Sequence, residues 1–416
     1  MTANCSRRDF LALLSAVSVL SSPARLSAMP GRNFRIRTIT AGVKLASASD
    51  IGSLQTAMTF LAYARKQYLS LDYEVQTVRI ATQPMAHYLA DWSASDSVDA
   101  IKQLDAFAAE NKVSFSIGPI NNPAQDSDEF VAWIAELVRD TKNINCSLIV
   151  ASKDKGIEQQ SVNLAAKIMV AISKSTRGGE GNFSFAATAF CPPGTPFFPA
   201  AYYMEDAFSI GLESASLLTH SFRAASSAKD SIKQLRKDLH AALKPIESKA
   251  EKISKHMSRP WLGIDTSPAP MLDISIGEAI ETLSGVPFGD ASTLSTCAAI
   301  TDVLKSLDIK SCGYSGLMLP ILEDTVLAKR AMQGRYSISD LLLFSSVCGT
   351  GLDVVPLPGD ASTEQLSALV GDVAALATKY SKPLSARLFP VPGKKAGDIV
   401  TFNNPYLTDS VVMEID

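Results

Sequence analysis

The sequence predicts one large α/β domain on a mostly parallel sheet, either doubly wound or closed into a barrel. Three observations predict it. From Phe34 onward, strand-like and helix-like segments alternate along the chain, the pattern of serial βα units. Apolar residues make up 46% of the 416 residues, enough for a sizeable core. No internal repeat or low-complexity linker divides the chain, so one compact body is expected over 34–416.

The first 28 residues are set apart. Arg7-Arg8-Asp9-Phe10-Leu11 leads into an apolar run ending at Leu20, and small residues follow up to Ala28. A twin-arginine pair, Phe-Leu and a short apolar core form the pattern of a bacterial Tat signal, which sends folded proteins to the periplasm. The run is too short for a stable bilayer anchor, and cleavage is placed after Ala24 or Ala28. Two residues depart from the usual pattern: Ala12 replaces a lysine, and Asp9 puts an acid in the basic region. Losing Arg7, Arg8, Arg25 and Asp9 with the leader takes the net charge from -3 to about -5. That balance, with no basic patch, disfavours nucleic acid as a partner. The expected partners are the twin-arginine translocase and a small-molecule ligand, with a homo-oligomer left open.

In order, 34–40 alternates as a strand, 49–69 has helical spacing, 74–81 alternates again, and 95–111 is helical. A short strand at 113–117 precedes a helix at 126–140, with Asp126 as its cap. A strand at 146–151, a helix at 156–175 and a strand at 182–190 complete four βα units. Cys191-Pro-Pro-Gly-Thr-Pro-Phe-Phe-Pro199 then holds four prolines in nine residues, which excludes helix and central strand. It predicts a rigid loop whose Phe197-Phe198 pair must be buried on something. A strand is expected over 208–218, carrying Glu213. A long charged helix or helical hairpin is expected over 225–257, and a strand at 261–265. The alternation resumes through 291–307, 325–334, 338–347, 354–357, 363–379 and 384–389.

Several chemistries lack their motifs. There is no P-loop, no G-x-G-x-x-G and no G-x-S-x-G. Gly178-Gly179-Glu180-Gly181 precedes a strand, as a turn does. The four histidines are scattered, and His240 and His256 lie on the charged helical stretch, where a solvated face is expected. After the leader five cysteines remain, Cys146, Cys191, Cys297, Cys312 and Cys348, with no C-x-x-C. Cys348, between a helix and the Gly349-Thr-Gly351 turn, reads either as a buried structural thiol or as a reactive one lining a ligand site.

The charged residues inside apolar strands carry the chemistry. Glu213, Asp265, Glu323, Asp324 and Asp353 each lie beside apolar strand residues, where an ionised carboxylate needs a partner. Each can cap a helix or pair with arginine. Converging at strand ends, they can instead serve as general acid and base, or hold a hard cation such as Mg²⁺ or Ca²⁺, with Glu323 and Asp324 as its ligands. Arg37, Arg79 and Arg387 are embedded in strands, and a buried guanidinium calls for a carboxylate of the protein or of a substrate. The expected function is an enzyme acting on a small anionic metabolite. Arg37, Arg79 and Arg387 bind it, and Asp265, Glu213, Asp353 and Cys348 are candidates for the reaction. The alternative is a non-catalytic periplasmic binding protein.

Several blocks resemble the uncharacterised family called domain of unknown function 711. They are Leu317-Met-Leu-Pro-Ile-Leu-Glu-Asp324, Val347-Cys-Gly-Thr-Gly-Leu-Asp-Val-Val-Pro-Leu-Pro-Gly-Asp360 and Ala386-Arg-Leu-Phe-Pro-Val-Pro-Gly393. Ile36-Arg-Thr-Ile-Thr40, Glu74-Val-Gln-Thr-Val-Arg-Ile-Ala-Thr82 and Gly194-Thr-Pro-Phe-Phe-Pro-Ala-Ala-Tyr202 extend the likeness. That family is similar in fold to the pyruvate formate-lyase-like glycyl-radical enzymes. The resemblance implies a barrel around a central finger loop, and it draws attention to Cys348. The Arg-Val-Ser/Cys-Gly-Tyr motif of the radical enzymes is absent here. Where some members carry Gly-Thr-His-Gly, this chain has Gly289-Asp-Ala-Ser292. The family brings no established reaction.

Overall fold

The computed structural model describes residues 34–415 except 90, 95, 122–126 and 273. The leader and the Asp126 cap therefore lie outside the described residues. The first half is built of β1 (Arg35–Val43), α1 (Ile51–Leu69), β2 (Val75–Thr82), α2 (Ser97–Asn111), β3 (Ser114–Pro119), α3 (Asp128–Asp140), β4 (Ile144–Ser152), β5 (Gly156–Ile157), α4 (Gln159–Ser175) and β6 (Phe185–Ala189). Then come β7 (Phe208–Glu213), α5 (Ala215–Arg223), α6 (Ala228–Met257), β8 (Trp261–Pro268), α7 (Ile276–Ser284), α8 (Thr293–Lys305), α9 (Thr325–Met332), α10 (Ile338–Ser345), β9 (Gly351–Pro358), α11 (Thr363–Tyr380) and β10 (Leu384–Val391), with a small hairpin of β11 (Ile399–Val400) and β12 (Ser410–Val411).

The main sheet runs β8-β7-β1-β2-β3-β4-β6-β10-β9, with β5 folded back on β4. β1, β2, β3, β4 and β6 are mutually parallel. So are β7 with β8 and β9 with β10. The two sets meet antiparallel at β1/β7 and at β6/β10. The extended segment 311–320 reaches both end strands: Ser311 bridges Ile264 of β8, and Pro320 bridges Asp353 of β9. The hydrogen-bonded path thus returns on itself as a ring.

The helices coat the outside of the ring. Ile36, Ile39, Ala41 and Val43 of β1 join Leu54, Phe60 and Leu61 of α1 in one main core. The proline-rich loop packs against the inside, which explains why β1 is buried along its whole length. Thr40 Oγ1 donates to Pro196 O (2.9 Å), Ser116 Oγ donates to Ala201 O (2.7 Å), and the Tyr203 amide donates to Thr82 O (2.9 Å). Gly42 and Gly211 let the loop approach, since a Cβ there would meet the Tyr203 and Phe197 rings. Phe197 is buried against Ala200, Ala269, Tyr314 and Met318.

Some boundaries differ from the sequence reading. Strand β7 stops at Glu213, because Ala215, Leu218 and Phe222 recur at helical spacing and start α5. Helix α4 starts at Gln159, since Gly156 takes φ +67° in the turn back onto β4. Ser127, whose hydroxyl accepts from the Phe130 amide, caps α3. Residues 177–184 form 3-10 turns through Gly178 and Gly179, so β6 begins at Phe185. Strand β8 runs past Asp265 to Pro268. Helix α6 is continuous through Pro245, its buried stripe of Leu235, Leu239, Leu243, Ile246, Ala250 and Ile253 facing inward. Among the described residues no helix is long and apolar enough to cross a membrane.

Candidate functional site

A cavity of about 820 Å³ opens inside the ring. Its walls bring together Arg37, Arg79, Arg387, Glu323 and Asp353, five of the nine residues singled out from the sequence. Glu213, Asp265, Asp324 and Cys348 do not line it.

Arg37 reaches the interior through a β-bulge. The β1/β7 register shifts between Ile36 and Thr38, so Ile36 packs outward while Arg37 and Thr38 both turn in. Arg37 donates to Gln76 Oε1 (3.2 Å) and lies 3.5 Å from Glu213 Oε2. Glu213 closes the other side of this group: it pairs with Arg35 Nε (3.1 Å) and accepts from Gln76 Nε2 (2.6 Å). Burial pushes the Glu213 carboxyl pKa up, and Arg37 and Arg35 oppose that shift. Arg35 and Arg37 are balanced by Glu213 and by Glu74, 3.4 Å from Arg35. The group is neutral.

Arg387, on β10, holds two acids. Its Nε donates to Asp353 Oδ1 (2.6 Å) and its Nη2 to Glu323 Oε1 (2.7 Å), and its face lies 5.2 Å from the Phe183 ring centre. Asp353 also sits on a bulge. The β9/β10 register jumps between Ala386 and Leu388, so Asp353 and Val354 together face Arg387. The two carboxylates hold the guanidinium pKa above its ordinary range. With one cation and two anions the triad carries an excess charge of about -1. Asp353 Oδ2 and Glu323 Oε2 make no hydrogen bond to the described residues.

Arg79 is the exception. It projects from β2, between Thr40 of β1 and Ser114 of β3. Its Nε donates to Thr77 Oγ1 (3.3 Å), and its guanidinium lies 4.9 Å from the Phe198 ring centre. Among the described residues no carboxylate lies within ion-pair distance of it, and Nη1 and Nη2 have no protein partner. Burial first, then repulsion from Arg37, lowers its pKa to about 9, which leaves it charged at neutral pH.

The other residues are committed elsewhere. Asp265 is fully buried and anchors the segment at 314–316: it accepts from the Tyr314 amide (2.8 Å), the Ser315 amide (2.9 Å), the Ser267 amide (3.1 Å) and Ser267 Oγ (2.6 Å). Burial raises its pKa, and those donors oppose the rise. Asp324 caps two helices. It accepts from Val326 and Leu327 at the start of α9 (both 3.0 Å), and from Ser275 Oγ (2.7 Å), Ile276 (2.6 Å) and Gly277 (3.3 Å) at the start of α7. The expected pairing of Asp324 with Glu323 around a cation is thereby corrected: N–H and O–H donors, which repel a cation, occupy both oxygens. Among the described residues no group of three or more His, Cys, Asp or Glu side chains is placed to hold a metal ion. Cys348 is corrected likewise as a lining thiol. It is buried in the main core, and Lys382 Nζ donates to its carbonyl (2.8 Å).

The sequence reading missed the aromatic and hydroxyl components. Tyr406 arrives on the C-terminal segment, with its ring 6.0 Å from Arg37. Tyr314 lines the cavity and donates to Ser385 Oγ (3.0 Å), which donates in turn to Thr350 O (3.1 Å). The one available signal was the Phe197-Phe198 pair, whose second ring covers Arg79.

The family model described as uncharacterised ACR (DUF711) matches residues 29–403. A UPF0210 protein of Pyrobaculum aerophilum is 28% identical, over 83% of this chain and 80% of its own length. UPF0210 proteins of Desulforudis audaxviator and Syntrophobacter fumaroxidans are 27% and 26% identical, over 92% and 97% of this chain and 91% and 94% of their own lengths.

Proposed function

The chain belongs to the uncharacterised DUF711 family, and from that premise we propose that it is an exported, enzyme-like protein whose cavity takes a small metabolite by an anionic group. The observation that carries this reading is Arg79, a half-buried guanidinium on the cavity wall whose terminal nitrogens have no partner among the described residues. Burying such a charge is costly unless something pairs with it, and a carboxylate or phosphate of a ligand supplies the pair. Asp353 Oδ2 and Glu323 Oε2 are the oxygens for proton transfer in the same cavity. Two non-glycine residues with positive φ, Val354 (45°) and Ser315 (42°), adjoin Asp353 and Tyr314, and such conformations concentrate at functional sites.

The reading takes the ring as a glycyl-radical-like barrel. Two sets of five parallel staves, counting segment 311–320, meet antiparallel at two seams, and the loop from Cys191 takes the place of the finger loop. A second reading, a non-catalytic binding protein, is favoured by the hold of Arg387 on one oxygen of each acid. Incubating the leader-free protein with a cell metabolite extract tests both. Depletion of a carboxylate- or phosphate-bearing compound, lost in Arg79→Met, supports the enzyme. Saturable binding without turnover supports the binding protein. A wild-type profile identical to that of Arg79→Met overturns both. Export is supported by Arg7 and Arg8 and by a family match that starts at residue 29. Lysine at both positions should trap the protein in the cytoplasm, and unchanged periplasmic delivery refutes the route.

A further inference from the structure

The charges around the cavity do not cancel locally. The Arg35, Arg37, Glu74 and Glu213 group is neutral, Lys142 and Glu180 add one charge of each sign, the Arg387 triad is one unit negative, and Arg79 is one unit positive. The two poles face the same cavity without forming an ion pair, and each ends in unused hydrogen-bonding atoms. These are the Nη1 and Nη2 donors of Arg79 at one pole, and the Oδ2 and Oε2 acceptors of Asp353 and Glu323 at the other. Asp353 is only 7% exposed, and what it exposes opens onto the cavity.

A simple anion would satisfy Arg79 and leave the acidic pole bare. A simple cation would do the reverse. We infer that the cavity is built for a small zwitterion, its carboxylate forked by Arg79 and its ammonium held by Asp353 and Glu323, which is the chemistry of an amino acid. This inference rests on the anion-binding reading above and narrows it. A planar fork with two free donors matches a carboxylate bidentately, and an ammonium offers three donors to two carboxylate oxygens. Thr77, Ser385 and Asn145 add neutral polar contacts along the wall, and the volume leaves room for a side chain.

The test is a calorimetric binding panel on the leader-free protein. It contains L-alanine, L-glutamate, L-lysine, glycine, β-alanine and γ-aminobutyrate, the last three spacing the charges progressively. The same panel includes the deaminated partners propionate, glutarate, acetate and butyrate, the decarboxylated partner ethylamine, and inorganic phosphate. At least one amino acid should bind saturably and about tenfold or more tighter than its deaminated partner. Arg79→Met should abolish that binding. Glu323→Gln and Asp353→Asn should each cut the preference for the amino group to less than about twofold and keep the carboxylate contact. If one acid variant fails to fold, the other decides. Deaminated acids or phosphate binding as tightly as every amino acid would overturn the zwitterion and leave the anion site standing. No binding by any member of the panel would overturn both.

Discussion

Replacing Arg79 by methionine should stabilise the unliganded protein. The guanidinium pKa falls from its ordinary value to about 9, chiefly through burial and then through Arg37. At about 1.4 kcal/mol per pKa unit, that caps the penalty on the charged form near ~5 kcal/mol. Arg79 is only partly buried, so cavity water screens it and roughly half, ~2–3 kcal/mol, is a fair figure. Against this, the variant loses the stacking on Phe198, worth about 1 kcal/mol, and the Thr77 hydrogen bond, worth about 0.5–1 kcal/mol. The methionine stem keeps most of the arginine's apolar contacts. The net gain is on the order of 1 kcal/mol, which urea denaturation at pH 7 and low salt resolves as a higher midpoint at unchanged slope. The sign with pH follows from the lowered pKa. Above about pH 9, and below the ordinary guanidinium pKa, the unfolded chain binds the proton that the folded chain has lost, so wild-type stability gains relative to the variant as pH rises. The advantage of Arg79→Met is therefore full below pH 9 and shrinks above it. A variant that unfolds more easily than wild type by 1 kcal/mol or more, as every paired buried arginine should, would refute the argument.

Arg387→Met should destabilise by about 3–5 kcal/mol in the same assay, because it leaves buried Asp353 and half-buried Glu323 without their cation. Adding Asp353→Asn and Glu323→Gln should recover more than half of that loss. Asp324→Ala should cost about 2–4 kcal/mol by removing the caps of α7 and α9 at once, and Asp324→Asn clearly less, both read by denaturant midpoint. Asp50→Ala should cost about 1 kcal/mol at pH 7, since Asp50 caps α1. The Ala46 amide, the Ser53 hydroxyl and the Ser53 amide hold the Asp50 carboxyl below its ordinary pKa of 3.8, so its contribution is complete above that value. The wild-type and Asp50→Ala stability curves should converge as pH falls through the lower folded pKa.

Arg37, Arg79 and Arg387 were legible because a guanidinium inside an apolar strand is conspicuous in one dimension. The same was true of the proline-rich loop, which cannot be helix or central strand and so had to serve as filling. The acids were less legible, because an acid's role depends on donors far away in sequence. Asp265 meets the Tyr314 and Ser315 amides about fifty residues later, and Asp324 meets Ser275, Ile276 and Gly277 as far before it. Seen alone, each looks as free as Asp353. Tyr406 gave no signal, since it follows the last strand of the ring and reaches Arg37 only when the ring is closed. The family resemblance was legible from several blocks at once, and the match to residues 29–403 bears it out.

Alternation alone would have misplaced the site. In a regular strand, residues two apart share a face, so Arg37 would share one with Ile39, Ala41 and Val43, all packed on the helices. One extra residue at Arg37 moves it inward and leaves Thr38 and Thr40 facing the loop. In β9, Leu352 and Val355 both join the outer core although they lie three apart, so Asp353 and Val354 must both leave it. The cost appears at Val354, a β-branched residue at φ 45°, where such residues are rarely found. A strand without the bulge would point Asp353 or Val355 the wrong way, since a one-residue slip exchanges the two faces. Arg79 depends on the same device: β2 keeps its register with β1, and Val75 and Val78, three apart, both pack on the outer core, so Gln76 and Thr77 both turn inward and Arg79 follows on the inner face. Irregularities in β1 and β2 thus present Arg37 and Arg79 to the cavity, and one in β9 brings Asp353, half of the negative pole, to face them.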